Sequence, residues 1–82
     1  MSFVVETLIN DLRNEVTGEL TDKSRVTDRL LDIRLAAVGR PTIIAEVDRT
    51  LADIPGLTMV ENDWWRAVLD GLEKTSQGVP AT

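Results

Sequence analysis

The sequence predicts an all-α fold, a small bundle of three to four amphipathic helices that is completed by self-association. Apolar residues recur at steps of three and four in four separate segments, which is the period of an amphipathic helix. The chain of 82 residues contains no cysteine and no histidine, so neither a disulfide nor a structural zinc site can stabilise it. A chain of this length buries only about 60–65% of its unfolded surface. Packed helices and association with another chain are therefore the expected sources of stability.

The first helical segment begins at a candidate cap and ends at a glycine. Ser2 can act as the N-cap. Gly18 is expected to end the helix, because glycine readily adopts the left-handed conformation found at helix ends. The apolar stripe between them consists of Val5, Leu8, Ile9, Leu12 and Val16.

The second helical segment, from about Asp22 to Val38, carries two apolar stripes side by side. Thr21 or Asp22 can cap its start, and Gly39 followed by Pro41 ends it. The first stripe is Val26, Leu30, Ile33 and Ala37, and the second is Leu31, Leu35 and Val38. An apolar face of this width exceeds what packing against one helix requires, which favours a further contact with another chain.

The third segment, roughly Pro41 to Asp53, also follows the helical period. Its β-branched residues leave a strand alternative for Thr42–Val47. The period continues through Leu51, which favours a helix, and Pro55–Gly56 then makes a turn.

The start of the last helix has two interpretations. Thr58 and Glu61 have the spacing of a capping box, which would begin the helix near Met59. Asn62 can instead cap a helix that begins at Asp63, which leaves residues 57–60 extended and buried. Residues 1–74 are predicted to form a single helical domain, and residues 75–82 a flexible C-terminal tail. No internal repeat is evident.

Charge is distributed unevenly along this acidic chain, whose net charge is −5. Residues 23–40 hold five cations and two acids, a net charge of +3. Asp11, Glu15 and Glu19 instead form a like-charged row on the first helix, and carboxylates at this spacing slightly destabilise their own helix. The sequence therefore predicts that the acidic first helix pairs with the basic second helix, within one chain or between chains.

The residue types argue against catalysis, and the chain is predicted not to be an enzyme. Without histidine and cysteine it lacks the commonest general base and the commonest strong nucleophile. Its five glycines are scattered singly, which is not the pattern of a phosphate-binding loop. The close carboxylate pairs, Asp28 with Asp32 and Asp11 with Glu15, are interpreted as solvated surface. No cofactor, metal ion or small-molecule substrate is predicted.

The chain is expected to be cytoplasmic and to make no contact with a membrane. A secretory signal peptide begins with basic residues and continues with an apolar stretch. Residues 1–6 contain no basic residue, and the acidic Glu6 interrupts the apolar residues. No stretch approaches the roughly 20 apolar residues that span a bilayer.

Trp64 and Trp65 are adjacent, so their side chains point about 100° apart on a helix. One is expected in the core and the other at its margin, where a tryptophan can anchor an interface, and the sequence leaves open which is which. Together with the second stripe and the charged rows they give the predicted interface, which consists of Trp64, Trp65, Leu31, Leu35, Arg25, Arg29, Asp11 and Glu15.

The leading functional prediction is a small acidic non-enzymatic protein–protein interaction module. It would act as a homodimer or as an accessory or regulatory subunit of a larger complex. An alternative is an antitoxin- or repressor-type transcriptional regulator that contacts DNA through the basic second helix of a dimer. In a helix-turn-helix arrangement of the second and third helices, the third would be the recognition helix, and its net charge of −2 opposes entry into the groove of a polyanion. A third interpretation is an inhibitor that presents acidic helices to a nucleic-acid-binding enzyme.

Overall fold

Four helices and two short strands make up the fold, and each strand stands between two helices. The computed structural model describes residues 4–78, and four helices hold 71% of that range. The elements in chain order are α1 (Val4–Glu15), β1 (Leu20–Asp22), α2 (Lys23–Ala36), α3 (Pro41–Ala52), β2 (Met59–Glu61) and α4 (Asn62–Ser76). The predicted helical fold is confirmed, but the fold is not purely α, because the two strands form a small sheet.

The two strands form an antiparallel ribbon with Thr21 opposite Val60. Backbone hydrogen bonds extend the pairing at both ends: the Lys23 N–H donates to the Thr58 carbonyl at 2.9 Å, and the Asn62 N–H donates to the Glu19 carbonyl at 2.8 Å. The chain directly before the last helix is therefore extended rather than helical, as the second interpretation predicts. Two parts of that interpretation are wrong: of residues 57–60 only Val60 is buried, and Asn62 is the first residue of α4 rather than its cap. The capping box that would begin the helix near residue 59 does not form.

The order helix, strand, helix occurs twice, so the chain consists of two halves of similar structure. The first helix of each half packs against the second helix of the other half, with the ribbon at the centre. Equivalent positions in the halves are Val5 and Ile43, Ile9 and Val47, Gly18 and Gly56, Val26 and Trp65, Leu30 and Leu69, and Ile33 and Leu72. The sequence shows no evident repeat because the halves share a pattern of burial and turns rather than side-chain identities.

The core lies between the two halves and receives one face of every helix. Its buried side chains are Val5, Ile9, Leu12, Val26, Leu30, Ile33, Ala37, Ile43, Val47, Val60, Trp65, Leu69 and Leu72. Trp65 is 3% exposed, whereas Trp64 is half-buried at the margin. The structure thus answers the question that the sequence left open about the two tryptophans.

The structure shifts several predicted boundaries. Thr21 and Asp22 belong to β1, and the Asp22 side chain makes no capping hydrogen bond to α2. At the other end of the chain α4 continues to Ser76, so the first two residues of the predicted tail are helical. The candidate cap Ser2 and residues 79–82 of the tail lie outside the described residues.

Ion pairs join helices that are far apart in the chain. The Arg13 guanidinium on α1 bridges to Asp70 and Glu73 on α4. Arg40, in the turn before α3, donates to the Glu6 carboxylate at 2.8 Å and to the Ser76 carbonyl at 2.6 Å. Arg40 therefore ties the start of α1 to the end of α4.

The described helices include none that combines the length and apolar character needed to cross a membrane.

The Glu6–Arg40 pair makes stability depend on pH. The hydrogen bond from Arg40, together with one from the Glu6 backbone, lowers the pKa of the Glu6 carboxyl group below its ordinary value of 4.5. A carboxyl group whose folded pKa is lowered stabilises the fold above its unfolded pKa, and this stabilisation is lost as the pH falls through the folded pKa. At pH 7 we expect Glu6→Gln to lower the melting temperature by about 2–6 °C, which corresponds to an ion pair of at most about 1 kcal/mol.

The measurement is thermal unfolding of both proteins from pH 7 to pH 3. The difference should shrink as the pH falls through the lowered pKa of Glu6, because the native carboxyl group then also becomes neutral. Glu61→Gln is the control, because Glu61 has no ion pair within residues 4–78 and should show no such convergence. A Glu6→Gln difference that stays constant down to pH 3 would point to packing rather than to charge.

Candidate functional site

The basic segment, residues 23–40, meets the acidic first helix as the sequence predicts. Arg25 and Arg29 of α2 both reach the Glu15 carboxylate at the end of α1, at 3.1 and 3.3 Å. The charge of Glu15, followed by hydrogen bonds to Asp32 and Glu15, raises the pKa of Arg29. Asp11 remains exposed, and within the described chain it has no ion pair. The predicted pairing of the two helices therefore forms inside one chain, through Glu15 alone.

The other cations of the basic segment are also engaged within the chain. The Arg34 Nε–H donates to Asp48 on α3 at 2.8 Å, and this hydrogen bond raises the pKa of Arg34. Arg40 bonds Glu6, as described above, and Lys23 donates to a backbone carbonyl at 2.7 Å. All five cations of residues 23–40 thus have partners inside the chain. Their charge holds helices together.

A reciprocal pair of contacts locks the two halves at the ribbon. Lys23, the first residue of α2, donates through Nζ to the Gly56 carbonyl at 2.7 Å. Its counterpart Asn62, the first residue of α4, donates through Nδ2 to the carbonyls of Thr17 and Gly18 at 2.9 and 3.1 Å. Asn62 is 1% exposed, and its Oδ1 accepts a hydrogen bond from the Thr21 hydroxyl. Each half therefore holds the turn of the other half.

The outer face of the ribbon carries two apolar side chains and two carboxylates. Alternation along a strand places Leu20 and Asp22 of β1 on the same face as Met59 and Glu61 of β2. Val60 points to the opposite face and is buried. Leu20 is 50% exposed and Met59 is 38% exposed. The register places Leu20 opposite Glu61 and Asp22 opposite Met59, so an apolar side chain faces an acid in both pairs.

A cleft of about 230 Å³ opens beside the ribbon, where α1 ends and α2 begins. Its polar rim includes Glu15, Asp22, Arg25 and Arg29, and the two arginines are already bound to Glu15. Its apolar lining consists of Leu12, Val16, Leu20, Met59 and Trp65. The cleft can hold an apolar side chain or a few water molecules.

An apolar stripe remains exposed on α2 and the turn after it. This stripe, called the α2 stripe below, consists of Leu31, Leu35 and Val38, which are 42%, 72% and 80% exposed. The equivalent positions on the second helix of the other half are the polar residues Asp70, Lys74 and Gln77. The fold itself therefore tolerates polar residues at these positions, and packing of the single chain does not explain the apolar ones.

Trp64 lies in a groove of about 250 Å³ between α3 and α4. It packs against the core and is half-buried, with Ala67, Val68 and Gly71 along the same groove. In the equivalent position of the first half stands Arg25 of α2, which forms an ion pair with Glu15 of α1. Trp65 is enclosed by the core and offers almost no surface to a partner.

The structure brings only part of the predicted interface together. Arg25, Arg29 and Glu15 form one ion-pair cluster, and the two leucines Leu31 and Leu35 lie side by side on α2. Trp64 lies in the α3–α4 groove, whose lining includes no residue of α2.

Sequence reasoning did not identify Leu20, Met59 and Asn62 as surface or clamp residues. The sequence does contain a signal for the two strands. Leu20–Asp22 and Met59–Glu61 each consist of an apolar residue, a β-branched residue and an acidic residue, directly before a helix.

Unpaired carboxylates account for the net charge of the protein. Within residues 4–78 every arginine pairs with a carboxylate, and Lys74 is the one cation with no partner. The acids of that range without an ion pair are Asp11, Glu19, Asp22, Asp28, Asp53 and Glu61. Three of these six lie in or next to the ribbon. The described part of the chain contains no group of three or more potential metal-ligating side chains.

Comparisons with protein-family models, with curated proteins and with solved structures found no match for this chain.

Proposed function

We propose that this protein is a small acidic non-enzymatic protein–protein interaction module that acts as a homodimer or as an accessory or regulatory subunit. The α2 stripe is the proposed contact surface for self-association. It replaces the broader predicted interface, because Trp65 is enclosed by the core and Glu15 is occupied by Arg25 and Arg29.

The observation that carries this proposal is the contrast between the α2 stripe and its polar counterpart on α4. Leu31 and Leu35 lie one turn apart on the same face of α2, and Val38 follows in the turn directly after the helix, so three exposed apolar side chains stand at one end of α2. Leaving these side chains in water costs free energy that burial recovers, about 1.5–3 kcal/mol for a fully buried leucine. Contiguous exposed apolar surface of this kind marks interaction sites in many monomeric proteins.

The DNA-binding alternative has weaker support than the sequence indicated. Phosphate binding depends on cations that are free to replace counterions. Each cation of residues 23–40 instead has a partner within the chain, and the chain as a whole is acidic. A DNA contact through α2 would first have to break those pairs.

Sedimentation equilibrium of the purified protein tests the proposed dimer. We expect a mass of twice 9.1 kDa at micromolar concentrations. The double substitution Leu31→Gln and Leu35→Gln removes apolar surface on both sides of a symmetric interface, with little change in helix propensity. It should weaken the dimer by at least about 100-fold, because each leucine contributes twice.

Leu57→Gln is the matched control, since Leu57 is 95% exposed but lies outside the α2 stripe. It should leave the dimer intact. A monomeric native protein at 100 µM would contradict the homodimer. A dimer that tolerates the double substitution would show that another surface is responsible.

A further inference from the structure

We infer that the ribbon and the cleft beside it form a second docking surface, for a segment of a partner protein in which an apolar side chain is flanked by lysines or arginines. The ribbon site is defined here by Leu20, Asp22, Met59 and Glu61, together with the cleft. It shares no residue with the α2 stripe, so it goes beyond the proposed self-association.

The composition of the ribbon face indicates the chemistry of a partner that fits it. Leu20 and Met59 are apolar residues that residues 4–78 leave 50% and 38% exposed. Asp22 and Glu61 stand opposite them across the two strands, and neither has an ion pair within residues 4–78. The ribbon face therefore offers exposed apolar side chains and unpaired carboxylates at the same place, and a partner with an apolar side chain and positive charges would complement both.

The cleft beside the ribbon has a volume of about 230 Å³. Leu20 and Met59 belong both to the ribbon face and to the lining of the cleft, so the two are continuous. A space of this size admits one apolar side chain, which would be buried against the core through Trp65 and its neighbours. Contacts of this type, an apolar anchor in a pocket with a charged surround, dominate many protein interfaces.

Charge distinguishes between the possible occupants of the ribbon site. A second copy of this chain brings a net charge of −5, and within the described residues its one cation without a partner is Lys74. Nucleic acid would bring phosphates to Asp22 and Glu61, which repel them. A basic partner segment meets these carboxylates with opposite charge, and such complementarity raises both the rate of association and the specificity.

The test is a titration of the ¹⁵N-labelled protein with a short synthetic peptide that has a central leucine flanked by two lysines on either side. At 50 mM salt we expect amide shifts concentrated in residues 18–22 and 59–63, around the ribbon. Replacing the leucine of the peptide by serine should weaken binding about 10-fold, which is the loss of a half-buried apolar anchor. A peptide with glutamates in place of lysines should not bind.

Two variants with the same net charge separate a site from general attraction. Asp22→Asn with Glu61→Gln removes two carboxylates from the ribbon, and Asp11→Asn with Asp53→Asn removes two unpaired carboxylates from elsewhere. Asp22 makes no capping hydrogen bond, so its replacement leaves the start of α2 intact. We expect the ribbon variant to weaken peptide binding about 10-fold, and the other variant less than about 3-fold.

Three results would overturn the inference. Equal weakening by both variants would mean diffuse attraction to an acidic protein. Peptide shifts centred on Leu31 and Leu35 would place the basic segment on the α2 stripe. Amide shifts at the ribbon that depend on protein concentration, and do not change when the peptide is added, would identify a second copy of the chain as the occupant. The α2 variant Leu31→Gln with Leu35→Gln should retain peptide binding, so failure of the proposed dimer and failure of the ribbon site are separately visible.

Discussion

Gly56→Ala is expected to destabilise the fold by about 3–4 kcal/mol, a large change for a single methyl group. Gly56 has a φ of +82°, a left-handed conformation that costs other residues about 1–2 kcal/mol. A Cβ at this position would also overlap the carbonyl oxygen of Met59, at the first residue of β2. That oxygen is backbone and cannot rotate away, so β2 itself has to move. Urea denaturation followed by circular dichroism measures the loss.

Gly18→Ala is the matched control for this result. Gly18 is the equivalent turn glycine of the first half, with a φ of +75°, and a Cβ there would meet no atom within 4 Å. We expect it to cost only the conformational part, about 1 kcal/mol. Equal losses for Gly18→Ala and Gly56→Ala would show that backbone conformation accounts for both, and that β2 adapts without cost.

Asn62→Asp is expected to destabilise the fold by about 3 kcal/mol at pH 7, and to lower the melting temperature by about 10–20 °C. The substitution keeps the shape of the side chain but replaces the Nδ2 donor by a carboxylate oxygen. That oxygen would face the carbonyls of Thr17 and Gly18, to which the native amide donates. A charge that is 1% exposed and opposed by two carbonyl dipoles is costly.

Thermal unfolding at several pH values distinguishes the charge from the loss of the donor. Protonation of the new carboxyl group at low pH should recover part of the stability relative to the native protein. Asn10→Asp adds the same charge at an exposed position of α1 and should change the melting temperature by less than about 3 °C. If Asn62→Asp is no worse than Asn10→Asp, the Asn62 contacts do not hold the two halves together.

Both expected results concern the ribbon, which also carries the inferred basic-segment site. Asn62 and Lys23 each bind the turn of the opposite half. Gly56 lies in the turn before β2, and its lack of a side chain allows the Met59 carbonyl of β2 to approach that turn closely. A ribbon clamped in this way presents Leu20 and Met59 in a fixed register. We therefore regard the ribbon as the part of the fold on which both stability and the inferred docking depend.

The helices and one charge contact were accessible from the sequence, because both arise from local spacing. The period of apolar residues placed four helices, and the row that includes Glu15 predicted a basic neighbour, found in Arg25 and Arg29. The ribbon was missed. Strands of three residues are too short to show alternation, and their pairing joins Thr21 to Val60, far along the chain.

The sequence by itself determined that four helices form and approximately where they lie, which catalytic residue types are missing, and the acidic net charge, because these follow from local spacing and composition. Only the tertiary structure decided which stripe of α2 is buried, which tryptophan enters the core, and which carboxylates remain unpaired. Leu30 and Leu31 are adjacent leucines of equal hydrophobicity, yet one is 0% and the other 42% exposed. The difference arises from how α1 and α3 pack against α2, and that arrangement depends on contacts between residues distant in the chain.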